Sequence, residues 1–311
     1  MTADSASGEY LSLFADAKGR PIAAPDFRGV PIADTHAHLD MLEDPVTALA
    51  NAARAGIGFI ATVADVTEDA RRTYDDLSAW LEGARMLLRD SASDASSESA
   101  APESPRVPAV RVILGCHPHN AKDYSADAEN ELLRLATDPL TCALGELGLD
   151  YHYDHSPREA QRAAFARHLE LAHELDLPVV IHLREAHADG EAILRECGVP
   201  NAGAILHCYN LGAEEMRPFL DLGCYVSFAG PVTFKKSEEI RLAAALVPEH
   251  RILTETDCPF MAPEPFRGRK NEPAFTVFTA ARIAEARGQA LAEFATHAYD
   301  NAQRLLNADR S

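Results

Sequence analysis

The chain lacks several features that would assign it to a specialised class of protein. None of its six cysteines lies in a Cys-x-x-Cys pair, no stretch approaches a membrane-spanning apolar run, and residues 1–30 contain no basic segment followed by an apolar one. These absences argue against a thiolate-bound structural zinc, a membrane protein and a secretory signal peptide. They favour a cytoplasmic protein whose cysteines are reduced thiols.

Positive charge is also scarce. The 311 residues include 48 acidic and only 29 basic ones, which gives a formal net charge of −19. A surface of this charge repels nucleic acid at long range. Any polyanionic substrate would therefore need a local basic patch.

Short apolar runs alternate with longer amphipathic segments along most of the chain. The length is compatible with two domains, but α/β barrels often exceed the usual domain size. Repeated strand–helix alternation predicts a parallel sheet closed as a (β/α)8 TIM barrel, with an open doubly wound sheet as the alternative. No Gly-x-Gly-x-x-Gly follows the first run, which removes the usual reason to prefer the open sheet. The predicted strands are Ile32–Thr35, Gly58–Ala64, Val110–Leu114, Cys142–Gly145, Val179–Ile181, Ala204–Leu206, Cys224–Ser227 and Ile252–Thr254.

Two segments do not follow this alternation. Residues 1–30 form an irregular lead-in. Residues 91–108 are rich in Ser, Ala, Glu and Pro and lack large apolar side chains, so they are expected to form a flexible surface insertion. We therefore predict one barrel domain over residues 31–311, with an insertion at about residues 91–108.

Potential metal ligands follow the predicted strands. His36 and His38 are separated by one residue at the end of the first strand, so their side chains point to the same side. The carboxyl ends of barrel strands converge on one mouth, where active sites form. Residues of metal-binding type at the ends of later strands should therefore meet the histidine pair there. They are Glu146, His182, His207 and Asp257.

The size of this set predicts two metal ions. Four imidazoles and two carboxylates exceed what one tetrahedral ion needs, and they suit two divalent ions with one carboxylate bridging. Mixed ligands favour Zn, Mn, Fe, Co or Ni, while Mg, also a candidate, prefers more oxygen. Each residue alone has an ordinary explanation, such as Glu146 answering a helix dipole or Asp257 capping a helix. Their joint placement at strand ends favours the metal site.

These residues lie in motifs that resemble those of the TatD family of metal-dependent deoxyribonucleases, which are amidohydrolase-like barrels. The resemblance extends over about residues 31–307. The matching motifs are Asp34-Thr35-His36-Ala37-His38-Leu39-Asp40, Gly115-Cys116-His117-Pro118-His119, Gly145-Glu146-Leu147-Gly148-Leu149-Asp150-Tyr151, Ile181-His182-Leu183-Arg184, His207-Cys208, Glu255-Thr256-Asp257-Cys258-Pro259 and Arg267-Gly268-Arg269-Lys270-Asn271-Glu272-Pro273.

The resemblance implies a role for each position. The implied ligands are His36, His38 and Asp257 for one ion, His182 and His207 for the second, and Glu146 as the bridge. His117 matches a position expected to contact the substrate. Leu183 and Glu185-Ala186 depart from the more polar or acidic residues expected beside the ligand histidine, which puts substrate preference in doubt more than metal binding.

The implied activity is hydrolysis of a phosphodiester by a metal-activated water, with Asp257 as general base and Glu146 bridging the metals. We expect a 3′–5′ exonuclease that acts on single-stranded ends, with nucleic acid as substrate, no membrane association and no obligate protein partner. Barrels often bind phosphate in the loops after strands 7 and 8. Cations in those loops and after strand 5 are candidate phosphate ligands, although an ordinary solvated surface is the alternative. They are Arg184, Lys235, Lys236, Arg267, Arg269 and Lys270.

Two other functions remain open at this stage. The same dinuclear site can activate water against a C–N or ester bond, as in an amidohydrolase or an aminoacyl-tRNA deacylase. A mostly apolar mouth would favour that activity, whereas the basic loops favour a nuclease. A non-catalytic scaffold is the third reading, and it is disfavoured because all six ligand positions are filled.

Overall fold

The computed structural model describes residues 13–16, 19–94 and 105–307. Eight strands form one sheet in sequence order, and each is parallel to the next. A bridge between Ala37 and Cys258 joins the last strand's end to the first strand. This confirms the predicted (β/α)8 barrel over the open sheet. The strands are β1 (Ile32–Ala37), β2 (Ile57–Asp65), β3 (Ala109–Gly115), β4 (Thr141–Asp150), β5 (Val179–Arg184), β6 (Ala204–Leu206), β7 (Tyr225–Phe228) and β8 (Ile252–Thr254).

An α-helix follows each strand, and one further helix follows the last. The first begins at Pro45, whose fixed φ suits the first turn, and Asp44 caps it by accepting the Thr47 N–H at 2.9 Å. Within the described residues, none of the helices combines the length and the apolar character needed to cross a bilayer. The helices are α1 (Pro45–Arg54), α2 (Ala70–Asp94), α3 (Ala126–Leu135), α4 (Arg158–Leu175), α5 (His187–Cys197), α6 (Ala213–Asp221), α7 (Glu238–Leu246), α8 (Thr276–Arg287) and α9 (Leu291–Leu306).

Helix α9 closes the amino-terminal end of the barrel. Its Leu305 and Leu306 belong to the same apolar cluster as Phe59 and Ile113 of the strands. Asn301 of α9 also donates to the carbonyl of Ile252, the first residue of β8, at 3.0 Å. With that end filled by side chains, the carboxyl end is left as the mouth.

Strand β4 is longer than the sequence indicated. It was expected to end at Gly145, but it continues to Asp150 and is buried throughout. The glycines in this strand permit close packing: a Cβ on Gly148, at φ 136°, would lie 2.1 Å from the carbonyl oxygen of His182 in β5. Glu146 therefore projects from within a strand rather than from a loop.

The insertion was expected to begin at about residue 91. Helix α2 continues past that position to Asp94. The Ser91 hydroxyl donates to the carbonyl of Leu87 and accepts from Arg54, both at 2.8 Å, and these contacts tie this turn to the barrel. Residues 95–104 lie outside the described residues, and their flexibility stays a prediction.

The described part of the lead-in forms one isolated bridge, between Ala15 and Pro21. Phe14 is nevertheless 1 % exposed and packs edge-on against Phe278 of α8, with ring centroids 4.9 Å apart. The lead-in is therefore irregular where it is described, but it is anchored to the barrel.

Candidate metal centre

Glu146 lies at the centre of the mouth, with its side chain 4 % exposed. Its Oε2 faces the end of β1, 3.1 Å from His36 Nε2 and 3.8 Å from His38 Nε2. Its Oε1 faces the ends of β5 and β6, 2.6 Å from His182 Nδ1 and 3.1 Å from His207 Nε2. The carboxylate therefore presents one oxygen to each of two imidazole pairs.

Asp257 completes the side of the cluster that faces β1. Its Oδ1 lies 3.5 Å from His38 Nε2 and 3.9 Å from His36 Nε2. Its backbone has φ 58°, a left-handed conformation that Asp tolerates better than most residues. Its N–H donates to the His36 carbonyl at 2.9 Å, so the link that closes the barrel also fixes the carboxylate.

His117, at the end of β3, joins the opposite side. Its Nε2 lies 3.4 Å from Glu146 Oε1, and its ring centroid is 4.9 Å from that of His182. The resemblance implied a substrate contact for His117, but in the structure His117 is also grouped with donor atoms that could hold a metal ion. In the described part of the chain, three groups of residues could each hold a metal ion, because the donor atoms inside each group lie within 4.8 Å of one another. The groups are His36, His38 and Asp257; His36, Glu146 and His207; and His117, Glu146 and His182.

Two buried carboxylates orient the imidazoles from behind. Glu255 is 0 % exposed, and its Oε1 accepts from His207 Nδ1 at 3.0 Å and from the Cys208 N–H at 2.6 Å. Asp150 Oδ2 lies 3.2 Å from His182 Nε2. A carboxylate on the outer nitrogen of a histidine fixes the ring's orientation and raises its basicity.

Two aspartates hold the loops that carry the cluster. Asp34 accepts the N–H of Thr256 at 2.8 Å and its hydroxyl at 2.6 Å, and burial raises the pKa of Asp34 to about 8. Asp65, at the end of β2, accepts from the His117 N–H at 2.9 Å and from Asn120 at 3.1 Å. The sequence alone assigned no role to Asp34 or Asp65. The position of Asp65 at the end of β2 could have indicated that its side chain faces the mouth.

The cluster favours ionised carboxylates. Burial by itself raises the pKa of Glu146, but the imidazoles of His207, His117 and His36 outweigh it and hold this pKa well below 4.5. Burial lowers the pKa of His207, but Glu146 and Glu255 outweigh it and raise this pKa well above 6.5. The ionised Glu146 is therefore stabilised by positively charged groups beside it, such as a protonated imidazole or a bound cation.

The cluster forms the floor of a cavity of about 420 Å³. Arg184 is the only lysine or arginine among the lining residues in the described part of the chain. Such an excess of carboxylates attracts cations and repels phosphate. Oxygen and imidazole donors without a thiolate also suit divalent ions, so the residues present fit a metal centre. The acidic lining residues are Asp40, Asp65, Glu68, Glu146, Asp150 and Asp257.

Arg184 reaches this cavity from the end of β5. Its guanidinium carbon lies 4.5 Å above the centroid of the Tyr153 ring, which is also part of the lining. His117 lines the same cavity. Two of the seven expected substrate contacts, Arg184 and His117, therefore lie beside the histidine–carboxylate cluster.

The other five expected contacts lie outside the cavity lining. Arg269 donates to the carbonyl of Ala15 at 2.5 Å, and Lys270 is paired with Glu43. The guanidinium carbon of Arg267 lies 4.4 Å above the centroid of the Phe234 ring. The structure does not bring these loop cations to the cluster, and three of them contact other parts of the chain. All five are exposed on the loops after β7 and β8: Lys235, Lys236, Arg267, Arg269 and Lys270.

A closed parallel barrel with a buried histidine–carboxylate cluster at its mouth defines a metal-dependent hydrolase of the amidohydrolase-like type. The family model described as "TatD related DNase" matches residues 33–307. The chain belongs to the TatD family.

Similar proteins agree with this assignment. The chain is 40% identical over 197 residues to the "Uncharacterized metal-dependent hydrolase YabD" of Bacillus subtilis, covering 63% of this chain and 77% of that protein. It is 38% identical over 197 residues to the "3'-5' ssDNA/RNA exonuclease TatD" of Pantoea vagans, covering 62% and 76%. The crystal structure of the TatD homologue YjjV from Escherichia coli superposes with a TM-score of 0.74 at 25% identity, covering 90% of this chain and 100% of that one.

Proposed function

We propose that this hydrolase is a phosphodiesterase that removes nucleotides from the 3′ ends of single-stranded nucleic acid with the help of two divalent metal ions. The observation that carries the proposal is the arrangement at Glu146, whose two oxygens face separate imidazole pairs. A bridging carboxylate of this kind suits phosphodiester hydrolysis by two metals. The name of the Pantoea vagans relative supports the substrate class.

The ligand residues divide between two metal positions. His36, His38 and Asp257 would hold one ion, His182 and His207 would hold the other, and Glu146 would serve both. Bound divalent ions supply Lewis-acid activation of water and neutralise negative charge on the substrate phosphate.

Asp257 acts as the general base. Its Oδ1 accepts the proton of the attacking water, for which an ionised carboxylate is needed. Burial raises the pKa of Asp257, but its hydrogen bond with His38 and the other imidazoles outweigh burial and lower it below 3.8. The carboxylate is therefore ionised at neutral pH and available to take a proton.

Arg184 and His117 orient the substrate. Both line the cavity beside the ligand cluster, and a planar guanidinium can bind two oxygens of one phosphate. Tyr153 supports the Arg184 guanidinium from one face, which limits its rotation. Arg184 thereby supplies, close to the metals, the positive charge that the rest of the lining lacks.

A hydrolase of small esters or amides is the second candidate. It is favoured by one observation: the loop cations expected to guide a polyanionic strand lie outside the cavity lining. A small neutral substrate would not need them. An amidohydrolase would use the same water-activating cluster. An aminoacyl-tRNA deacylase would use it too, but its substrate is a polyanion, so the position of the loop cations does not favour it.

The test is an assay of purified protein on 5′-labelled single-stranded oligonucleotides with Mn²⁺, Mg²⁺ or Zn²⁺, run beside a panel of small amides and esters. We expect a ladder that shortens one nucleotide at a time from the 3′ end. A blocked 3′ end should stop it. Turnover confined to the amide and ester panel would reject the nuclease and support the second candidate.

A further inference from the structure

Three large apolar side chains stand exposed on one side of the mouth. Met41, Phe260 and Met261 are 47%, 51% and 38% exposed, and all three line the cavity. Single exposed apolar residues are ordinary on protein surfaces. Three together beside a hydrophilic cluster indicate a contact surface for an apolar group of the substrate.

Phe260 is held in place although its ring is exposed. Its N–H donates to the carbonyl of Asp257 at 2.9 Å, and its own carbonyl accepts from Asn271 Nδ2 at 2.6 Å. Asn271 is 1% exposed, so this anchor belongs to the buried structure. The Phe260 ring lies edge-on to His38, with centroids 6.1 Å apart. The backbone of Phe260 is thus fixed, and its aromatic ring lies next to His38.

The apolar group lies across the barrel from Arg184. Met41 follows β1, and Phe260 and Met261 follow β8, whereas Arg184 ends β5 and Tyr153 follows β4. In a closed barrel of eight strands, β1 and β8 are adjacent to each other and opposite β4 and β5. A phosphodiester at the cluster would therefore have a cation on one side and an aromatic ring on the other.

We propose that Phe260, flanked by Met41 and Met261, is a stacking subsite for the base of the terminal nucleotide of a single strand. The proposal rests on the phosphodiesterase function proposed above. Stacking on an aromatic ring accepts every base, because each base has a π face, and it needs no matching hydrogen bonds. The methionine side chains can adapt around bases of different size. The subsite predicts binding of the terminal nucleotide without base preference.

The test removes the two stacking partners separately and together. The protein carries Phe260→Ala, and the oligonucleotide carries an abasic residue at its 3′ end. On the normal strand, Phe260→Ala should lower kcat/KM by about 5- to 100-fold, the range for loss of one stacked base. On the abasic strand the same substitution should change kcat/KM by less than about twofold, because the stacking is already lost.

Matched variants identify the cause of the loss. Phe260→Tyr should keep the activity on the normal strand, since the aromatic face remains. Leu246→Ala removes an apolar side chain that is 64% exposed on α7, away from the cavity lining, and should leave both strands unaffected. Metal content should be unchanged in all three variants.

Three outcomes would overturn the subsite. An equal loss on the normal and abasic strands would show that Phe260 does not contact the terminal base. A loss of bound metal in Phe260→Ala would show that the ring merely supports His38. A wild-type protein inactive on every strand would remove the proposed function and this subsite with it, whereas an active wild type without base-dependent coupling would remove the subsite alone.

Discussion

The floor and the rim of the cavity are built in different ways. The floor consists of Glu146, Asp257 and the imidazoles that face them, all in or directly after barrel strands and mostly buried. The rim consists of loop residues such as Tyr153 and Phe260, each 51% exposed. Barrel topology positions the floor, whereas local contacts position the rim. We therefore expect changes in the floor to affect chemistry and changes in the rim to affect substrate binding.

Two histidine–glutamate pairs, one in the floor and one beside the rim, illustrate the difference. In the floor, His207 and Glu255 are 3.0 Å apart, and their side chains are 3% and 0% exposed. Beside Tyr153 of the rim, His152 and Glu185 form an exposed pair, called here the rim pair. They are 2.7 Å apart, and their side chains are 42% and 64% exposed. The distances are similar, but solvent weakens the rim pair and spares the buried one. The distance between two charged groups therefore does not by itself show how strongly they interact.

Removal of metal should have the largest effect. Dialysis against a chelator should reduce hydrolysis to background, because the floor cannot activate water without its ions. The fold should persist, since the apolar barrel core rather than the metal supplies most of the stability. Activity assays and far-UV circular dichroism on one sample measure both effects, and re-addition of Mn²⁺ is the control. Unfolding upon chelation would contradict this division of roles.

The substitution Asp257→Asn should have the second largest effect. The amide keeps the size of the side chain but cannot accept the proton, so kcat should fall by about 10²-fold or more, the low end for loss of a general base. Asp40→Asn, which changes another acidic residue lining the cavity, is the matched control and should retain most activity. Wild-type kcat in metal-loaded Asp257→Asn would reject Asp257 as the base.

Glu255→Gln should have an intermediate effect. Losing the carboxylate behind a ligand histidine typically weakens metal affinity by about 10- to 100-fold. Glu185→Gln, which changes the rim pair, should leave metal affinity unchanged. Titration calorimetry with Mn²⁺ on both variants gives the comparison. Equal losses in the two variants would break the distinction between floor and rim.

The loop lysines should have the smallest effect. Replacing Lys235 and Lys236 with Ser should raise KM for a long oligonucleotide by about two- to fivefold and flatten its salt dependence slightly, because few phosphates lose a partner. Arg184→Gln should raise KM for long and short substrates alike. A small phosphodiester assayed in parallel separates these outcomes. An equal effect of the lysine variant on the small substrate would show that these lysines act at the cavity.

The sequence predicted the floor because its residues follow directly from topology. His36 and His182 lie in the second halves of β1 and β5, and His207 follows β6. Parallel strands in a closed barrel bring their carboxyl ends together. The supports behind them were harder to predict. Whether Asp150 contacts His182 depends on the register of β4, which shifts between Leu144 and Leu147, and alternation alone does not reveal such a shift.

The positions of the loop cations escaped prediction for a different reason. Arg269 and Lys270 form part of a basic run, and composition alone suggested a phosphate patch. Their partners, the carbonyl of Ala15 and the carboxylate of Glu43, come from distant parts of the chain. Contacts between loops depend on loop conformation, which neither hydrophobic period nor strand order encodes.

We propose that Glu146 joins two metal positions in the floor, and anomalous diffraction from a Mn²⁺-soaked crystal can show them. We expect two peaks, one between Glu146 and the His36–His38–Asp257 group and one between Glu146 and the His182–His207 pair. A map with no peak in contact with Glu146, or with metal bound only outside the cavity, would contradict it.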